Sequence, residues 1–172
     1  FISKGGGAGP GWELIVVPGV GVQVRVFLTS GYASVSSGIG NWSTDGKWHH
    51  VALTYNNLGD RQLRLWIDGN LVDTSAAISD TLLSDSSTNL QIGTGGYGPM
   101  GGSVGWSRIS NIVRYSSNFT PSTRWTPPGT DANTVTQWNM TDGTGTNVTN
   151  IGTCGGTSSN CNGTLSNGSW NK

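Results

Sequence analysis

Between Val22 and Leu28 the chain alternates strictly: Val22, Val24, Val26 and Leu28 stand two apart, with Gln23 and Arg25 between them. Successive side chains of a strand point to opposite faces, so this run predicts a β-strand with one apolar and one polar face. "GWELIVVPG" precedes it as a second β-run, and Pro18-Gly19 marks the turn between the two. The same period recurs in "DGKWHHVALTY", where Val51, Leu53 and Tyr55 share a face. It recurs again in "RQLRLWIDGNLVDT", where Leu63, Leu65 and Ile67 alternate with Arg64 and Trp66 and Asp68-Gly69 supplies a tight hairpin turn. "NLQIGTGG" and "GSVGWSRISNIVRYS" predict at least two further strands. No segment shows a helical period. The expected fold is all-β, an antiparallel β-sandwich whose sheets each have one buried and one solvated face.

Composition reinforces this class. Apolar residues make up 34% of the chain and charged residues 10%, both below the usual globular share, with Gly, Ser, Thr and Asn filling the gap. Eight tryptophans add area to the short apolar runs. Glu13 is the single glutamate and helix-forming residues are scarce, a balance that favours strands and turns. Formal net charge is zero and Lys and Arg form no run, so the electrostatic term that drives nucleic-acid binding is missing. No apolar stretch is long enough for a membrane span. The chain starts at Phe1 and shows no signal peptide, which leads to the expectation of a processed product or a fragment.

"DGKWHHVALTYNNLGDRQLRLWIDGNLVDT" resembles the centre of the laminin G-like, concanavalin A-like lectin/glucanase jelly rolls. Their pattern there is Asp-Gly-x-Trp-His-His-Val-Ala, a turn, then a strand ending in Ile-Asp-Gly-x-x-Val. "LQIGTGG" and "GSVGWSRISNIVRYSSNFTP" resemble the later strands, and "FISKGGGAGPGWELIV" resembles the Ser-Lys-Gly turn with the strand after it. The resemblance implies a jelly roll. It also exposes a displacement: the family's usual opening strand is absent from the front, and "TVTQWNMTDGTGTNVTN", which is similar to it, sits near the end.

Residues 1–122 are therefore expected to form a laminin G-like β-sandwich lacking its usual N-terminal strands. Residues 123–132, rich in Pro and polar groups, read as an extended linker. Residues 133–172 read as a strand segment completing a neighbouring module or the same sandwich, with Val135, Trp138 and Met140 carrying the connection. Three arrangements stay open: a window across a tandem array, a permuted domain that refills its own slot, or a polymerising subunit that fills its neighbour's. A sandwich short of strands exposes apolar core and free edges that another strand can satisfy. Partners on this reading are copies of the chain or neighbouring repeats.

The chemistry-bearing residues argue against an enzyme. Glycosidases on this fold use a Glu-x-Asp-x-x-Glu strand, because hydrolysis needs two carboxyls at a defined separation, and a single glutamate cannot supply it. His49 and His50 are adjacent on a strand, point to opposite faces and cannot chelate one ion together. Many relatives carry Ca²⁺, which brings Asp60, Asp68, Asp80 and Asp85 forward as carboxylates. No loop, however, has the closely spaced acids of a calcium loop, and Asp68 reads as the turn residue. Among the aromatics, Trp48, Trp66 and Trp106 lie on strand patterns and read as core. Trp42, Tyr97 and Trp125 lie in Gly-, Ser- or Pro-rich loops and are the candidates for stacking on glycans, a role carried by the family likeness.

Cys154 and Cys161 are the only cysteines and flank a short loop; they read as a local disulfide formed outside the cytoplasm. Six Asn-x-Ser/Thr sequons begin at Asn41, Asn118, Asn139, Asn147, Asn162 and Asn167, acceptors for N-glycans on a cell-surface or secreted protein. The expected function is a structural or adhesive module of an extracellular glycoprotein such as a surface fibre or adhesin. The alternative is a carbohydrate-binding lectin module of a secreted or phage tail protein.

Overall fold

A computed structural model describes residues 1–5, 9–40, 45–84, 87–95, 98–156 and 161–170. The chain divides into two compact units. One comprises Phe1–Gly102 with Tyr115–Pro121, the other Ser103–Arg114 with Ser122–Lys172.

The first unit is built of antiparallel sheets. β1 (Ile2–Lys4), β2 (Trp12–Val17), β3 (Gly21–Leu28) and β4 (Gly31–Ser36) form a continuous meander. β5 (Val51–Tyr55), β6 (Leu63–Ile67) and β7 (Asn70–Thr74) form a second sheet. β8 (Leu90–Ile92) pairs with β1, so the larger sheet runs β4-β3-β2-β1-β8. β9 (Thr94–Gly95) and β10 (Gly98–Pro99) make a small ribbon. The β2–β3 turn follows its sequence: Pro18 presets one central position, Gly19 takes φ of 75° at the next, and the Val20 N–H closes on the Val17 carbonyl at 3.0 Å.

The alternating runs meet in one core. Val22, Val24, Val26 and Leu28 of β3 pack with Leu14, Val35 and Ile78 and with Leu63, Leu65 and Ile67 of β6. Register holds them in rows, with Val24 opposite Leu14 on one side and Val35 on the other. This is the face-to-face packing of a β-sandwich.

The far faces are not simply solvated, which corrects the sequence expectation. Trp66 points away from Leu65 yet is fully buried, because the segment Tyr115–Pro121 crosses that face of the smaller sheet. Tyr115 and Phe119 stack at 3.7 Å, and the Trp66 ring lies 6.0 Å from Phe119 and 6.4 Å from Tyr115. Trp66 donates its indole N–H to Thr54 Oγ1 at 3.0 Å, which answers the polar cost of burying it. The strap is held by the Phe119 N–H on the Gly69 carbonyl at 2.9 Å and by Asn118 Oδ1 on the Leu71 N–H at 3.0 Å. Gly69 permits this approach: its φ is 79° and a Cβ there would stand 1.8 Å from the Phe119 carbonyl oxygen. On the larger sheet, Glu13 and Ile15 are likewise buried opposite Leu14, with Glu13 paired to Arg25 at 3.1 Å. Alternation fixes which way a side chain points, whereas what later covers that face is a long-range matter.

Trp48 also departs from expectation. It precedes β5, lies in a loop and is 46% exposed, so it is no core residue. Trp106, in the second unit, is half-buried and donates its indole N–H to the Thr123 carbonyl at 3.0 Å.

The second unit contains β11 (Ser107–Ser110) paired with β12 (Thr134–Trp138), and β13 (Asn147–Val148) paired with β14 (Gly163–Thr164). A 3-10 turn spans Cys154–Gly156. Among the described residues no helix is long and apolar enough to cross a membrane.

Candidate functional site

The segment expected to act as an opening strand forms β12 and pairs at a specific place. β12 runs antiparallel to β11 with Ser107 opposite Trp138, Arg108 opposite Gln137 and Ile109 opposite Thr136, and a bulge follows Ile109. A charged clasp closes the end of this pair. Arg114 donates through both guanidinium nitrogens to Asp131, at 2.6 Å each, and through Nε to Ser110 Oγ at 2.9 Å. Bidentate guanidinium–carboxylate pairing is strongly oriented. The Asp131 carboxylate also accepts the Asn133 N–H at 2.9 Å and so shapes the turn into β12. The Arg114 bonds, followed by those from Thr134 and Asn133, hold the Asp131 carboxyl well below the usual carboxylate range.

The other edge of β12 is occupied too. Asn150 Oδ1 accepts the N–H groups of Gln137 and Gly152 at 2.9 and 3.0 Å, and its Nδ2 donates to the Gly152 carbonyl at 3.2 Å. One carboxamide thus takes the place of a stretch of strand. Beside it the N–H groups of Ile151 and Thr153 donate to the Gln137 and Thr134 carbonyls. Gly152 lies so close that a Cβ there would meet Thr136 Cα at 2.7 Å.

Of the three expected connection residues, Trp138 is buried and donates its indole N–H to the Cys161 carbonyl at 3.0 Å. Val135 and Met140 are half-buried, and Met140 follows the strand's end with φ of 54°. The Cys154–Cys161 disulfide is formed, with Cα atoms 5.8 Å apart, so the crosslink ends at the residue whose carbonyl holds Trp138. The Pro-rich stretch 123–132 contributes acceptors within this unit: Thr123 to Trp106, and Pro128 to Gln137 Nε2 at 2.8 Å. Gln137 and Asn150 carry no apolar periodicity, and sequence reasoning passed over both.

The remaining candidates lie apart from this network. Trp125 is 77% exposed, with the Arg124 guanidinium 3.6 Å from its ring centroid. Trp42, Tyr97, Asn41 and Asp85 lie outside the described residues. Of the other sequon asparagines, Asn118, Asn147, Asn162 and Asn167 are exposed and Asn139 is half-buried. Asn162 Oδ1 accepts the Asn150 N–H at 2.9 Å and Asn139 Oδ1 accepts from Gln137 at 3.0 Å.

The described aspartates raised for calcium serve protein donors. Asp60 binds Arg64, and Asp68 binds His49 and the His50 N–H. Asp80 accepts the Ser30 N–H at 2.9 Å together with the Ser30 and Thr29 hydroxyls, which hold its carboxyl far below the usual range. Among the described residues no three His, Cys, Asp or Glu side chains are grouped to hold a metal ion.

An antiparallel sandwich carrying the Trp-His-His motif just before β5 and the Ile-Asp-Gly motif at the end of the adjoining β6 defines a laminin G-type jelly roll, and comparison with known proteins agrees. The chain belongs to the concanavalin A-like lectin/glucanases superfamily: its laminin G family model matches residues 1–117, a span that includes β11 and stops short of β12. Sex hormone-binding globulin of Phodopus sungorus is 34% identical over 74 residues, 43% of this chain and 18% of that protein. The chain thus spans under a fifth of that curated relative's length. No solved structure matches it.

Proposed function

We propose that the chain is a non-enzymatic structural and adhesive module of an extracellular glycoprotein, joined to neighbouring copies or modules through its C-terminal segment. One observation carries this reading. β11 lies inside the family-matched span, but the strand that pairs with it comes from outside that span. A strand position filled by an appended segment can be filled with the same bonds by a neighbour's segment, which is the logic of strand exchange and β-augmentation.

Other features support the setting. The disulfide suits an oxidising compartment, and the exposed sequons at Asn147, Asn162 and Asn167 crowd the C-terminal segment. The sole glutamate is buried in its pair with Arg25, a poor position for the two-carboxyl chemistry of glycosidases. The name of the Phodopus sungorus relative describes a binding protein, and binding in that general sense is what is carried across.

Ile109 and Thr136 face each other in register, so a chain carrying Ile109→Cys and Thr136→Cys reports on who fills whose slot. Oxidation is expected to give covalent dimers and higher forms on a non-reducing gel at high protein concentration. Monomeric crosslinked chain at every concentration would sink the connection to neighbours.

A lectin is the second reading, favoured by the exposure of Trp125. Saturable polysaccharide binding lost in Trp125→Ala supports it, and binding left intact by that change counts against it.

A further inference from the structure

His49 stands between two carboxylates. Its Nδ1 lies 2.7 Å from Asp68 Oδ2 and its Nε2 lies 3.1 Å from Asp45 Oδ1. A carboxylate only accepts hydrogen bonds, and a neutral imidazole has a single N–H. Both bonds therefore exist together only when the ring is an imidazolium.

The two carboxylates belong to different parts of the first unit. Asp68 sits in the β6–β7 turn and is anchored there without His49: its Oδ1 accepts the His50 N–H at 2.9 Å, and its own N–H donates to the His50 carbonyl at 2.8 Å. Asp45 sits in the connection between β4 and β5. Its other contacts are local to that connection, with the Lys47 N–H at 2.9 Å and the Lys47 ammonium at 3.8 Å. The bond from His49 to Asp45 thus links Asp45, through the imidazole, to the hairpin turn.

We propose that His49 is a proton-operated latch, fastening the Asp45 segment to the Asp68 turn when the ring is charged and releasing it when the ring is neutral. On losing a proton the ring keeps its N–H on the shorter bond to Asp68. Nε2 then presents a lone pair to the Asp45 carboxylate, and attraction becomes repulsion. Asp45 and Asp68 are the charged groups that face the imidazole among the described residues, and Lys47 faces Asp45 from the same segment. His50 turns its ring away, edge-on to Tyr115 and Phe119.

The bond from Asp68, aided by that from Asp45, raises the affinity of His49 for its proton against partial desolvation. The stabilisation is therefore complete below the free histidine value of about 6.5 and is lost as pH rises through the higher folded value. The latch therefore makes the tethering of Asp45 depend on acidity.

Two measurements on the intact chain test this: NMR titration of the His49 ring, and hydrogen exchange of the Asp45–Trp48 amides at about pH 5 and about pH 8.5, corrected for intrinsic rates. The expected result is a midpoint above about 6.5 and protection that falls about tenfold or more across the titration. Asp45→Asn should lower the midpoint and abolish that change while leaving β5 and β6 amides protected. A midpoint at or below the free histidine value overturns the proposal. So does protection that ignores pH, or a change that persists in Asp45→Asn.

Discussion

The two units of this chain are held together by different means. Phe1–Gly102 with Tyr115–Pro121 rests on rows of Val, Leu and Ile pressed between two sheets. Among the described residues of Ser103–Arg114 with Ser122–Lys172 the buried side chains are largely polar, Thr134, Thr136, Gln137 and Asn150, with Trp138 and Val148 as the buried apolar ones. Burying polar groups is tolerable only when their partners are in place. Asn150 and the Arg114–Asp131 clasp supply many of them and the disulfide braces the segment, while among the described residues Thr136 Oγ1 and Gln137 Oε1 are buried without a hydrogen-bond partner. Area can hold a fold whose details vary, whereas a polar network loses a full desolvation cost with each partner removed.

The largest test sets one tryptophan against the other. Trp66→Ala and Trp138→Ala should each destabilise by about 3–5 kcal/mol, measured by chemical denaturation. Site-resolved hydrogen exchange should then show loosening centred on β5–β7 for the first and on β11–β12 for the second. If either substitution loosens both regions equally, the distinction between the units fails.

Removing the crosslink is a smaller change. Cys154→Ser with Cys161→Ser should cost about 2–3 kcal/mol on chain-entropy grounds and should free the Trp138 indole from its carbonyl. β11–β12 exchange should rise while β2–β3 exchange stays put; parallel rises would blur the contrast.

Next comes Asn150→Ala. It orphans the Gln137 and Gly152 N–H groups and should cost about 1–3 kcal/mol. The comparison for the first unit is Thr54→Val, which strips the acceptor from Trp66 but adds apolar volume in its place. A milder loss there would show that an apolar surround forgives what a polar network does not.

The smallest effect is acidic. The folded Asp131 carboxyl titrates below its unfolded value. Its contribution is full above about pH 4 and fades as pH falls towards the folded value. β11–β12 amides should lose protection over that range, and Asp131→Asn should flatten the loss. Unchanged protection in the native chain down to about pH 2 would mean the clasp adds nothing to the pairing.

The sandwich was readable because period-two alternation specifies a face without reference to distant residues. Val22, Val24, Val26 and Leu28 had to point the same way, and an apolar row of that length needs a facing row such as Leu63, Leu65 and Ile67. The disulfide was readable because two cysteines in one chain have one intrachain pairing. That "TVTQW" forms a strand was readable too, but not its partner. Strand pairing is degenerate in sequence, and only the assembled chain sets β12 between β11 and the Asn150 segment. The strap over Trp66, the carboxamide standing in for a strand and the imidazole between two carboxylates arise the same way. Each joins residues far apart in the chain or depends on an angle that no local pattern encodes, so sequence determined the faces and the core, and tertiary structure decided what covers, clasps and latches them.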